Sequence, residues 1–195
     1  MKITIYNQKG GVGKTMLATQ IALYFNLKII ELDPYGILKS LMPNRVIKVG
    51  LRDKIDENLN DVVFDFGGFD DLRLENVSKQ SDLVIIPFNP TLVSLGGTLK
   101  SYYRIKNLNQ NILFVVNGYV KEQDVKDAVE FLEENIKVPI EYFAIPFTRA
   151  VQTAENEIVS IIDLPKAGGL KKHTYSKIAR TFENLMIYIK RKINV

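Results

Sequence analysis

The sequence predicts an α/β fold: a doubly wound, mostly parallel sheet flanked by helices. Two observations carry that expectation. Short β-branched runs alternate along the 195 residues with segments of helical period, the order that strand–helix–strand units produce. Most of those runs are apolar at nearly every position, as in strands covered on both faces; a sheet with one wet face would alternate. A chain of this length forms one compact domain by default, so 1–195 is expected to be a single domain.

Strands are expected over residues 2–7, 27–32, 61–66, 82–87, 111–117 and 140–145. After the first, Leu17, Ile21 and Phe25 share one helical stripe. After the fifth, Val125, Val129, Leu132 and Ile136 do the same. Ile178, Phe182, Leu185, Ile189 and Ile193 define a terminal helix over about 174–193, with His173 as a helix-start residue. The Pro-Lys-Ala-Gly-Gly stretch, 165–169, is the best candidate for a flexible junction.

Composition removes several function classes. With no cysteine there is no disulfide framework, thiolate zinc site, cysteine-ligated iron–sulfur cluster or cysteine nucleophile. The start lacks the apolar stretch of a signal peptide, and no apolar run approaches the roughly 20 residues that span a bilayer; a soluble cytoplasmic protein is expected. The net charge of +4 is unevenly placed. Beyond Pro165 there are eight basic residues and one acidic, a net of +7, while the preceding residues carry 18 basic and 21 acidic, a net of −3. A basic end on a mildly acidic body suits a polyanion surface, and solvated lysines on a terminal helix give the same count.

The strongest signal is Gln8-Lys9-Gly10-Gly11-Val12-Gly13-Lys14-Thr15, set between the first strand and its helix. Strand, glycine loop, Lys-Thr, helix is a phosphate-binding arrangement. Gly10, Gly11 and Gly13 let successive backbone N–H groups point into one concavity, and the helix adds the positive end of its dipole. Lys14 would meet the β- and γ-phosphates, and the Thr15 hydroxyl would complete the coordination of Mg²⁺. The expected nucleotide-binding set on the loop is Gly10, Gly11, Val12, Gly13, Lys14, Thr15 and Met16.

The string Lys-Gly-Gly-Val-Gly-Lys-Thr resembles the deviant Walker A loop of the ParA/MinD family of P-loop ATPases. The resemblance implies ATP and Mg²⁺ as cofactors, slow ATP hydrolysis and an ATP-dependent homodimer. In it the extra lysine, here Lys9, reaches the phosphates of the partner's ATP. Glu31-Leu32-Asp33-Pro34-Tyr35 is similar to the family's D-x-D-P-Q segment, so the resemblance gives Asp33 the orientation of the attacking water. Glu31 and Tyr35 depart from that pattern. Val62-Val63-Phe64-Asp65 resembles a Walker B strand, with Asp65 beside Thr15 as a metal-site residue, followed by Phe66-Gly67-Gly68 where the family usually has Thr-Pro-Pro. These departures leave a non-hydrolysing nucleotide switch as an alternative. Residues 81–90 are similar to the family's A-D-x-V-I-I-P-x-x-P strand and loop. By the same resemblance, Asn117 would read the adenine edge and Pro146 would pack on the base.

Asn7-Gln8 ahead of the lysine is typical of ParA-like proteins, where MinD-like ones more often carry Ser-Gly. No helix-turn-helix domain is expected ahead of Met1, so specific operator binding is not expected, and the chain resembles the small partition ATPases. These bind DNA without sequence preference as dimers and are stimulated by a centromere-binding, ParB-like partner. On the terminal helix Lys177, Arg180, Asn184, Tyr188 and Arg191 form an outward stripe. With Lys171 and Lys172 at its foot and Arg149 nearby, Lys177, Arg180 and Arg191 are the expected DNA contacts. A solvated helix face and a membrane-surface helix are the alternatives. A MinD-like membrane role would have to use the tail, 190–195, because the apolar stripe is needed to cover the sheet.

Overall fold

The computed structural model describes residues 1–193. Seven parallel strands form one sheet in the order β3-β2-β4-β1-β5-β6-β7. They are β1 (Lys2–Ile5), β2 (Lys28–Glu31), β3 (Val46–Lys48), β4 (Val62–Asp65), β5 (Leu83–Phe88), β6 (Ile112–Tyr119) and β7 (Tyr142–Pro146). The helices are α1 (Lys14–Phe25), α2 (Leu38–Leu41), α3 (Arg73–Gln80), α4 (Leu92–Ile105), α5 (Glu122–Ile136), α6 (Ala150–Glu157) and α7 (Gly169–Lys192). The six expected strands are all present. The seventh, β3, is a three-residue edge strand whose Ile47 and Lys48 are exposed, so it has no buried run to announce it.

Side chains alternate across the sheet with period two and fill two separate cores. Ile3, Ile5, Leu83 and Ile85 pack with Leu17 and Ile21 of α1 and with Phe182, Leu185 and Ile189 of α7. Tyr6, Val84, Ile86 and Phe88 face the other way, onto Leu74 of α3, Leu95 and Ile105 of α4 and Leu132 of α5. All four residues of β4 and all six of β5 are buried, which explains their continuous apolar sequence.

Because every pairing is parallel, the segments that follow the strands gather at one edge. The central β1 lies between β4 and β5, the switch point at which such sheets open a crevice for ligands.

The terminal helix is longer than its apolar stripe. It starts at Gly169, directly after a 3₁₀ turn over Leu164–Ala167, so 165–169 is structured and Lys171, Lys172 and His173 lie within the helix. Its first two turns bury little beyond part of Tyr175, and periodicity carries no signal where nothing is buried. At its other end Asn111 Nδ2 donates to the Lys192 carbonyl at 3.1 Å, Lys192 pairs with Glu141, and Ile193 packs on the core. Of the expected tail, Asn194 and Val195 lie outside the described residues. Among the described residues no helix is long and apolar enough to cross a membrane.

Candidate nucleotide site

The glycine loop joins β1 to α1 at the switch point. Gly11 (φ +75°) and Gly13 (φ +96°) hold left-handed conformations that side-chain-bearing residues rarely adopt. A Cβ on Gly13 would lie 2.3 Å from Nδ2 of Asn117. No side chain caps α1, which leaves the N–H groups of its first turn to a ligand or water.

Lys14 is buried, and its Nζ donates to the Lys9 carbonyl at 3.0 Å. Burial pulls its pKa below the ordinary lysine value, against the opposing charges of Asp65 and Asp33. Asp65, at the end of β4, is 1% exposed; Thr15 Oγ1 donates to its Oδ2 at 2.9 Å, while Oδ1 is buried with no partner. Burial pushes the Asp65 carboxyl up to about 7, although the Thr15 hydrogen bond and the Lys14 charge pull it down. A carboxylate oxygen left without a partner beside a hydroxyl fits a cation site. Among the described residues no group of three or more His, Asp or Glu side chains could hold a metal alone, so an ion here needs further oxygens, as phosphates supply.

Asp33 sits on the loop after β2. Its Oδ1 accepts from Tyr35 N at 3.0 Å and its carbonyl from Gly36 N at 3.0 Å. A Cβ on Gly67 would be 3.2 Å from its Cγ, so the loops after β2 and β4 touch. Glu31, where the family carries aspartate, has a role that sequence reasoning missed. It is 1% exposed, and its carboxylate accepts from Leu38 N at 2.7 Å and Lys39 N at 3.3 Å, the first residues of α2. A Cβ on Gly36 would lie 2.3 Å from Glu31 Oε1, so the glycine makes room for the carboxylate. The segment after β4 is held by Arg104 of α4, which donates to the Asp71 carbonyl at 3.0 Å and pairs with Asp70. No sequence pattern flagged Arg104.

Lys9 is exposed, in contrast to the buried Lys14. Asn117 ends the buried part of β6, and its Nδ2 donates to the Val12 carbonyl at 3.0 Å; in this structure its amide braces the glycine loop. Pro146 closes β7 at the same edge, half-buried. Tyr35, Ile37, Leu92, Val93, Val120 and Phe147 are exposed apolar residues in segments that follow β2, β5, β6 and β7. They ring the edge that carries the glycine loop.

Of the expected polyanion contacts, Arg149, Lys172, Lys177, Arg180 and Arg191 are exposed, whereas Lys171 is occupied by Glu157 at 2.5 Å. Tyr188 leaves the outward stripe: it is half-buried with its ring 6.2 Å from that of Phe143. Its wheel angle borders the apolar stripe, and the bulky ring turns toward the core. Tyr175 meets Thr153 of α6 at 3.1 Å, and Lys192 meets the start of β7. The helix therefore runs antiparallel to the strands, with Arg149 and Lys172 toward the glycine-loop edge and Arg191 at the opposite edge.

A sequence profile described as CobQ/CobB/MinD/ParA nucleotide binding domain matches residues 3–161. No curated protein matches by sequence. Among solved structures, the MinD cell division protein of Aquifex aeolicus superposes with a TM-score of 0.61 at 20% identity, covering 95% of this chain and 96% of that one. A Cyanothece McdA–ATP complex superposes at 0.65 and 10% identity, covering 100% and 96%. A plasmid partition protein from Borrelia burgdorferi gives 0.57 at 19% identity, covering 80% and 96%. At these identities the structures speak for the fold; the profile, which spans most of the sequence including the glycine loop and both acidic strand ends, speaks for descent. The chain belongs to the CobQ/CobB/MinD/ParA nucleotide binding domain family.

Proposed function

We propose that this protein is a ParA-like ATPase that binds Mg²⁺ and ATP, dimerises on them and binds DNA without sequence preference. With a centromere-binding, ParB-like partner it would drive plasmid or chromosome partition, associated with the nucleoid. The observation that carries the reading is the contrast between two lysines on one loop, one buried and one exposed. Lys14 is buried and its ammonium is bonded to the Lys9 carbonyl, while the Lys9 side chain is exposed. This contrast supports a role for the first on this chain's own phosphates and for the second on a ligand held by another chain.

The chemistry is transfer of the γ-phosphoryl group of ATP to water, giving ADP and phosphate. Such reactions depend on positioning and charge neutralisation more than on covalent chemistry. Lys14 and the loop N–H groups would neutralise the phosphate charge, and Thr15 and Asp65 would hold the Mg²⁺, which would supply further charge neutralisation there. Asp33 orients the water. Its Oδ1 accepts from Tyr35 N, which fixes the carboxylate on its loop and leaves Oδ2 for the water. Asn117 and Pro146 lie at the edge where the base would rest. The exposed apolar ring from Tyr35 to Phe147 supports a dimer face around the nucleotide.

DNA is favoured over a membrane by the terminal helix. Ile178, Phe182, Leu185, Met186 and Ile189 are all buried against the sheet and the helix end is tied at Lys192, so a membrane anchor would have to give up core packing. Lys172, Lys177, Arg180 and Arg191 remain outside. A dimer doubles this surface, which makes binding depend on ATP. Binding to random-sequence duplex DNA and to anionic liposomes, each titrated with salt with and without ATP, tests the reading. ATP-dependent, salt-sensitive DNA binding supports it; ATP-dependent liposome binding with none to DNA at low salt overturns it.

A further inference from the structure

The loop that carries Lys9 is held at its first residues by hydrogen bonds from helix α4. Asn7, fully buried, is the last residue before the loop. Its Nδ2 donates to the Pro87 carbonyl at 2.8 Å and to Thr98 Oγ1 at 3.0 Å; its Oδ1 accepts the Lys9 N–H at 2.8 Å and lies 3.2 Å from the Ser101 hydroxyl. Ser101 Oγ in turn accepts the Gln8 N–H at 2.9 Å. Thr98 passes its own proton to the Ser94 carbonyl at 2.8 Å. Thr98 and Ser101 are as buried as Asn7, and both amide hydrogens and the amide oxygen of Asn7 are used. A buried polar network of this kind is costly unless complete, and when complete it fixes one geometry.

A Cβ on Gly97 of α4 would stand 3.0 Å from Lys9 Cβ. A side chain there would crowd the lysine, so α4 and the loop approach closely at this point. Glycine inside a helix costs roughly 1 kcal/mol against alanine, and here the close approach accounts for it.

We propose that Asn7, Thr98 and Ser101 form a clamp through which α4 sets the position of Lys9, making them positioning residues for the lysine that acts across the dimer. The clamp holds the backbone N–H groups of Gln8 and Lys9 and meets Lys14 only indirectly, through the Lys9 carbonyl that accepts its ammonium. Its loss should therefore separate two events that share one loop: nucleotide binding by the monomer stays, and nucleotide-dependent association weakens. The second half rests on the role proposed above for Lys9, and the test keeps the two apart.

Thr98→Val keeps the side-chain volume and removes the acceptor for Asn7; Ser101→Ala removes the acceptor for Gln8; Thr98→Ser restores the hydroxyl. Amide hydrogen exchange on the nucleotide-free monomer reads the clamp directly. The Gln8 and Lys9 amides should exchange about tenfold faster or more in Ser101→Ala and Thr98→Val, as expected when a buried bond is removed, and return in Thr98→Ser. Unchanged exchange in variants that melt like the wild type overturns the clamp. Association with ATP, measured in the Asp33→Ala background, then reads its consequence. Thr98→Val should weaken it about tenfold, with monomer ADP affinity unchanged, and should add nothing to Lys9→Ala. An equal additional loss in the Lys9→Ala background overturns action through Lys9. If Lys9→Ala alone dimerises like the wild type, the proposed role of Lys9 falls, and the exchange result still decides the clamp.

Discussion

The hydroxyl of Thr15 reaches Oδ2 of Asp65 at 2.9 Å, while Oδ1 of the same carboxyl group is buried without a partner. Folding raises the Asp65 pKa to about 7, chiefly by burial. An aspartate whose pKa is raised by folding favours the fold while protonated, a contribution complete below the unfolded value of roughly 4 and lost as pH climbs through about 7. The nucleotide-free protein should therefore lose stability over that interval. Asp65→Asn should melt higher than the wild type at pH 8, by at most about 4 kcal/mol, with the gain narrowing toward pH 5. Thermal melts across pH in the presence of a chelator check this, and Mg²⁺ with ADP should reverse the order at pH 8 by stabilising only the wild type.

Lys14→Ala should abolish ATP binding, since the buried ammonium bonded to the Lys9 carbonyl is the one proposed for the phosphates. Asp33→Ala should bind ATP normally and stop turnover. Fluorescent-nucleotide titration and phosphate release separate the two effects. Wild-type turnover in Asp33→Ala would remove the water-orienting role, and undetectable turnover in the wild type even with a partner would favour the switch that does not hydrolyse.

Gly36→Ala should be unexpectedly costly for a loop position of ordinary backbone conformation. The added methyl meets Glu31 Oε1 at 2.3 Å, and a displaced Glu31 leaves the Leu38 N–H without its acceptor. A loss of about 1–3 kcal/mol follows from an unpaired buried donor. Denaturant melts should show it, and Glu31→Ala alone should cost a similar amount, with Gly36→Ala adding little in that background.

Much of this site was legible because its signals are local. The glycine loop reads from eight consecutive residues, and Asp33 and Asp65 from their places at the ends of apolar runs. The rest depends on contacts between distant segments. Asn7 meets Ser101 across 94 positions and Asn117 meets Val12 across 105, and nothing in either neighbourhood marks the pairing. Glu31 stood out as a departure from the family's aspartate, but its turn toward α2 became visible only with Gly36 in place. The start of α7 was missed for a different reason: residues 169–177 are mostly solvent-facing, and a helix without a buried stripe writes no period into its sequence.

Charge reversal on the terminal helix should act on DNA and leave the nucleotide site untouched. Lys177→Glu with Arg180→Glu should weaken duplex binding at every sequence tested, and replacing each with alanine should lower the salt slope by about one for each phosphate no longer neutralised. Lys171→Ala should do less, because Glu157 already holds that ammonium. ATP turnover without DNA should match the wild type in all of them.

The central claim is that this loop serves two chains at once, with Lys14 turned to its own nucleotide and Lys9 to the partner's. Light scattering of the Asp33→Ala protein with ATP, alongside the same protein carrying Lys9→Ala, tests it most directly. A dimer of about twice the monomer mass is expected for the first and a monomer, still saturated with ATP, for the second. A monomer under every nucleotide condition in the first protein, or an equally stable dimer in the second, would contradict it.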